Sequence, residues 1–61
     1  MDRMQITIRT ENEAFSDNPS AELARILRKL AECIENGATP DFLYDINGNK
    51  VGSVDTFGGD S

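Results

Sequence analysis

Residues Met4-Gln5-Ile6-Thr7-Ile8-Arg9-Thr10 alternate apolar and polar side chains, the period of a strand that buries one face, here Met4, Ile6 and Ile8. Met1-Asp2-Arg3 precede it as an extension, Met4 being an equally good start. Glu11 to Asn18 is polar apart from Ala14 and Phe15 and reads as a loop, with Phe15 plugging one end of the core. The period then changes. At ~100° per residue, Leu23, Ala24, Ile26, Leu27, Leu30, Ala31, Cys33 and Ile34 fall on one half of a helix. Glu22, Arg25, Arg28, Lys29, Glu32, Glu35 and Asn36 fall on the other. Asn18-Pro19 supplies an N-cap and a first-position proline, with Asp17 and Ser20 as alternative caps. Glu22 suits the positive end of the helix dipole. Asn36-Gly37 ends the helix, glycine accepting a left-handed cap.

After the connector Ala38-Thr39-Pro40-Asp41, the runs Phe42–Ile46 and Lys50–Val54 flank Asn47-Gly48-Asn49, a strong hairpin signal. Thr56-Phe57 prolong the last strand. A turn centred on Asn47-Gly48 sets Asp45 opposite Lys50. It also places Phe42, Tyr44, Ile46 and Val51 on one face, and Leu43, Asp45, Gly52 and Val54 on the other. The fold class is α+β in the order β-α-β-β, one amphipathic helix on a three-stranded, mainly antiparallel sheet. Residues 1–57 form a single small domain and 58–61 a flexible tail. One helix covers one face of such a sheet, yet this hairpin is apolar on both faces. The helix stripe is also wider than the ~100° that packing needs. The surplus apolar surface implies a homo-oligomer, most simply a dimer; the alternative is a monomer in which Phe42 and Phe57 wrap around the sheet edge.

Composition narrows the chemistry. Sixty-one residues hold one cysteine, no histidine and no tryptophan, so neither a disulfide nor the usual imidazole zinc ligand supports so short a chain. The net charge of −5 lies wholly in residues 30–61, where six acids face Lys50 alone; residues 1–29 balance five acids with five bases. That balance argues against a nucleic-acid partner, which needs a basic patch. No run approaches a membrane span and no signal-peptide core is present. With a single unpaired cysteine, this points to a bacterial host cytoplasm.

No catalytic constellation emerges. Without histidine, Ser-His and Cys-His nucleophile systems are absent, and Cys33 at the stripe edge reads as a small buried hydrophobe. Glu11 and Glu13 lie in a polar loop with little apolar sequence to raise a carboxyl pKa. Asp45-Ile46-Asn47-Gly48-Asn49 opens like a calcium loop. Lys50 then stands where that loop needs glycine, and Thr56 where it needs a bidentate acid. The glycines match no phosphate-binding fingerprint. The expectation is a binding protein, with no enzymatic activity, cofactor or metal.

Ile6-Thr7-Ile8-Arg9-Thr10, Ala24-Arg25-Ile26-Leu27-Arg28-Lys29-Leu30-Ala31, and Asp45-Ile46-Asn47-Gly48-Asn49-Lys50-Val51-Gly52 together are similar to very small proteins encoded by phages and prophages of proteobacteria. The likeness spans about residues 4–54. It implies a phage context and carries no site residues. Phage genes this short often encode non-catalytic proteins that bind and inhibit or redirect a host component, including defence machinery. The expected protein-binding surface is Asp41, Phe42, Tyr44, Asp45 and Asp55. An alternative is a nucleotide-like small ligand held between subunits by Arg25, Arg28 and Lys29. Another is a virion or assembly accessory protein.

Overall fold

The computed structural model describes residues 2–58. Strand β1 runs Arg3–Ile8, a 3-10 turn covers Glu13–Phe15, helix α1 runs Pro19–Glu35, and strands β2 and β3 run Phe42–Tyr44 and Lys50–Phe57. The sheet order is β1-β3-β2 with both pairings antiparallel, so the chain is an α+β fold of β-α-β-β order. Of the tail expected at 58–61, residues 59–61 lie outside the described residues.

Local sequence accounts for the ends of α1. The Asn18 side chain accepts the Ala21 N–H at 3.1 Å, and Pro19 at the first position has no N–H that needs a partner. At the other end Gly37 adopts φ +81°, and its N–H and that of Ala38 bond the Ile34 and Cys33 carbonyls at 2.9 Å each. The loop before α1 is more ordered than a polar stretch suggests. Asn12 caps the 3-10 turn through its side chain, which accepts from Ala14 N–H at 3.0 Å, and the turn lowers Phe15 into the core.

The buried core is Phe15, Ile26, Leu30, Leu43, Val51 and Val54, with Met4, Ile8 and Ala14 packed partly against it. Helix α1 lies against the 3-10 turn and β2. Strand β1 is on the far side of β3 from β2, away from the helix's main contacts. That placement explains why Ile6, Leu27 and Ile34 remain about two-fifths exposed, although periodicity assigned all three to buried faces. The helix stripe therefore splits into an inner line of Ile26 and Leu30 and an outer line of Leu27 and Ile34. The described molecule is elongated accordingly, 43 × 21 × 17 Å.

The hairpin departs from its simplest register. Leu43 pairs with Gly52 and Tyr44 with Lys50, so Val51 is the extra residue of a β-bulge. The bulge turns Val51 into the core beside Leu43, where strict alternation had grouped it with Phe42, Tyr44 and Ile46. The expected Asp45–Lys50 cross-strand pair is replaced by Tyr44–Lys50, because β2 stops at Tyr44 and Asp45 turns inward. Gly48 at φ +86° closes the turn.

Gly52, paired with Ile8 on one side and Leu43 on the other, leaves no room for a side chain against β1. A Cβ there would collide with the Thr7 carbonyl oxygen and sit 3.2 Å from Ile8 Cα. Both obstacles are backbone, which cannot rotate aside. Gly52→Ala should therefore cost about 1–3 kcal/mol or more, read as a lowered urea midpoint with an unchanged slope. A midpoint matching wild type would show that the strands separate freely at this position.

Candidate functional site

Two buried carboxylates organise the end of the molecule where β2, α1 and the hairpin turn meet. Glu22 and Asp45 are only 8% and 5% exposed. Glu22 lies in the first turn of α1, and its oxygens accept Arg25 Nε and Nη2 at 2.9 Å each, a bidentate fork three residues along the helix. Oε2 also accepts the Ile46 N–H at 2.9 Å. The Arg25 Nη2 reaches the Tyr44 carbonyl at 3.4 Å. Glu22 thus ties the helix start to the chain just beyond β2.

Asp45 works from inside the turn. Its Oδ1 accepts the N–H groups of Asn47 and Asn49 at 2.8 and 2.9 Å, folding Asp45–Asn49 around the carboxylate. Its Oδ2 accepts Asn12 Nδ2 at 2.7 Å and Asn49 Nδ2 at 3.3 Å. Since Asn12 also caps the 3-10 turn, one side chain connects that turn to the hairpin. Four N–H donors converge on this carboxylate, so a cation here would meet donors on every side. Asp45 was expected on the partner surface. Its burial places it inside the fold, and its two oxygens are occupied in holding the turn.

These surroundings set the acidity of both groups. The Arg25 fork holds the Glu22 carboxyl below its ordinary 4.5, against the opposing pull of burial, and the Ile46 N–H adds to the lowering. Burial pushes Asp45 upward, but the combined hydrogen bonds from Asn49, Asn12 and Asn47 outweigh it and leave the carboxyl below 3.8.

The other residues expected at a partner surface remain on the outside. Phe42 and Tyr44 are about half exposed and Ile46 two-thirds exposed; Asp41 and Asp55 are exposed. Phe42 pairs with Ser53 across β2–β3, and Asp55 lies two residues further along β3 on that same side of the sheet. The face away from α1 thus gathers Phe42, Ser53, Asp55 and Phe57, next to Arg3, Gln5 and Thr7 of β1. Cations cover parts of its aromatic rings. Lys50 Nζ sits 4.3 Å from the Phe42 ring centre, and Arg3 Cζ sits 4.6 Å from that of Phe57. The surface is therefore mixed in charge, although the C-terminal half of the sequence is strongly acidic.

On the opposite side of β2, a groove of about 290 Å³ separates the strand from α1. Ile26, Leu30 and Leu43 contribute to its lining, with Cys33 and Pro40; Arg25 and Lys29 stand on the helix side and Phe42 and Tyr44 on the strand side. The three basic residues expected to hold an anion share one face of α1, but carboxylates interrupt it. Arg25 is engaged with Glu22, and the open surface around Arg28 and Lys29 also includes Glu32 and Glu35. Among the described residues, no three His, Cys, Asp or Glu side chains converge as metal ligands. None of the described helices is long and apolar enough to cross a membrane.

Comparison with protein-family models, with characterised proteins and with solved structures returns no match. The residues that structure this end were only partly visible in the sequence. Glu22 was placed on the polar helix face, and Asn12 in an unstructured loop. The available signals were the Glu22–Arg25 spacing and an Asp followed by amide residues at the second and fourth positions after it.

Both carboxyls ionise more readily folded than unfolded. Their contribution to stability is therefore complete above the ordinary values of 4.5 and 3.8 and is lost as pH falls through the lower folded values. The melting temperature should fall below about pH 4.5. Asp45→Asn should melt well below wild type at pH 7, with the gap narrowing as pH approaches 3. Parallel melting curves for the two proteins across that range would show that Asp45 is not held as an anion.

Proposed function

We propose that this chain is a non-catalytic protein-binding module that acts by covering part of a partner protein's surface. The observation that carries this reading is the set of half-exposed aromatics on the outward face and edge of the sheet. With six buried apolar residues among those described, the chain leaves Phe42, Tyr44, Ile46 and Phe57 in water, and exposed apolar groups rimmed by charge mark interaction surfaces. Asp41 and Asp55 beside Phe42 supply acidic contacts, and Lys50 and Arg3 supply basic ones. The likeness to small phage-encoded proteins makes a host protein, including a defence component, the class of partner. Inhibition or redirection then follows from occlusion, with no chemical step. The interrupted charge around Arg28 and Lys29 gives less support to a nucleotide-like ligand.

The outer line of α1 supports self-association as a homodimer. Leu27 and Ile34 on the helix, and Ile6 on β1, are apolar groups that one copy leaves uncovered. A two-fold arrangement would let the helix line of each copy cover the other.

Immobilised wild-type protein should retain a specific protein from a proteobacterial lysate, and Phe42→Ala and Tyr44→Ala should each lose it while melting near the wild-type temperature. Capture of nothing above background, or equal capture by the variants, would sink the proposal. For self-association, light scattering should give twice the 6.7 kDa chain mass, with Leu27→Lys and Ile34→Lys returning the single-chain mass. A single-chain mass for wild type up to millimolar concentration is the contrary result.

A further inference from the structure

The geometry points to the open edge of β2 and the groove beneath it as a docking site for an extended peptide segment with a glutamate between β-branched residues. This deepens the partner-binding reading and rests on it. In an antiparallel ladder, residues outside the hydrogen-bonded pairs direct their own N–H and C=O away from the neighbouring strand. The Val54 N–H bonds the Asp41 carbonyl at 2.9 Å, and the Asp45 N–H bonds the Asn49 carbonyl at 2.9 Å. With Phe42 paired to Ser53 and Tyr44 to Lys50, those two bonds place Phe42 and Tyr44 at such positions. Their backbone groups therefore face the open side of the sheet. Among the described residues only the Tyr44 carbonyl has a partner there, the long 3.4 Å contact from Arg25, which an incoming N–H can replace.

A strand added at this edge pairs with Phe42 and Tyr44 and alternates its side chains across the sheet. The residue opposite Leu43 points to the helix side, into the groove beside Arg25 and Lys29. The residues on either side of it point outward beside Phe42 and Tyr44. Charge selects what enters the groove. Lys29 has no ion pair among the described residues, and Arg25 uses Nε and Nη2 on Glu22 and Tyr44, leaving Nη1 directed elsewhere. Among the described residues, no acid other than the buried Asp45 lines the groove. A glutamate opposite Leu43 fits these conditions, with its carboxylate at Lys29.

The test is an NMR titration of the full chain with two capped peptides, Ser-Thr-Val-Glu-Val-Thr-Ser and its analogue with lysine at the centre. The glutamate peptide should shift the Phe42 and Tyr44 amide resonances, and the lysine peptide should bind at least ~5-fold more weakly. Lys29→Glu, an exposed change that leaves the fold intact, should invert that preference. Equal affinity for the two peptides, shifts confined to the β1 edge, or no binding would each overturn the proposal. So would a dimer in which the Phe42 amide is already protected from exchange, since a second copy would then occupy the edge. Peptide binding beside a failed lysate capture removes the host-partner reading and supports this site. A silent titration beside a successful capture removes this site alone.

Discussion

The bidentate fork between Glu22 and Arg25, with the Ile46 N–H as its third contact, is the interaction on which the rest of the structure depends. It joins the first turn of α1 to the chain leaving β2, elements more than twenty residues apart, through groups that satisfy one another. A buried carboxylate is costly when unpaired, so this position admits few alternatives: helix and hairpin must meet where the donors are. Asp45 fixes the other half of that junction. It folds its own turn and holds the 3-10 turn through Asn12, and that turn carries Phe15 into the core.

This polar junction matters because the apolar core is small. Six buried apolar side chains among the described residues, with no disulfide and a lone half-buried Cys33, leave little to define how α1 lies on the sheet. The ion-pair and amide network specifies that placement, while burial of Ile26, Leu30, Leu43, Val51 and Val54 provides most of the driving force. With the helix held at β2, β1 and the outer line of α1 stay in water. The same constraint that orders the fold therefore creates its exposed apolar surfaces and leaves the β2 edge open beside a basic-rimmed groove.

Elements governed by neighbours in sequence were legible from the residues. The Asn18-Pro19 start and Asn36-Gly37 end of α1, the alternating strand and the Asn-Gly turn depend on local backbone preferences and reappear with small shifts in their ends. Side-chain environments were less so. Alternation grouped Val51 with Phe42, but the bulge in the β2–β3 pairing moved it inward. Asp45 looked like a surface acid because a sequence does not display the four N–H groups that meet it. Glu22 looked solvated for the same reason. Phe42 and Tyr44 were expected on the outside and lie there, whereas Lys50 over one ring and Arg3 over another depend on strand register.

The sequence by itself determined the element order, the helix boundaries and the hairpin, because those follow from hydrophobic period and from conformations that Pro, Gly and Asn favour locally. It also determined that the chain has more apolar surface than one copy can cover. Only the tertiary structure decided which apolar groups those are, and which acids leave the surface. Burial and hydrogen bonding depend on contacts between residues far apart in the chain, and here a bulge at Val51 and two carboxylates aimed at backbone N–H groups settled both.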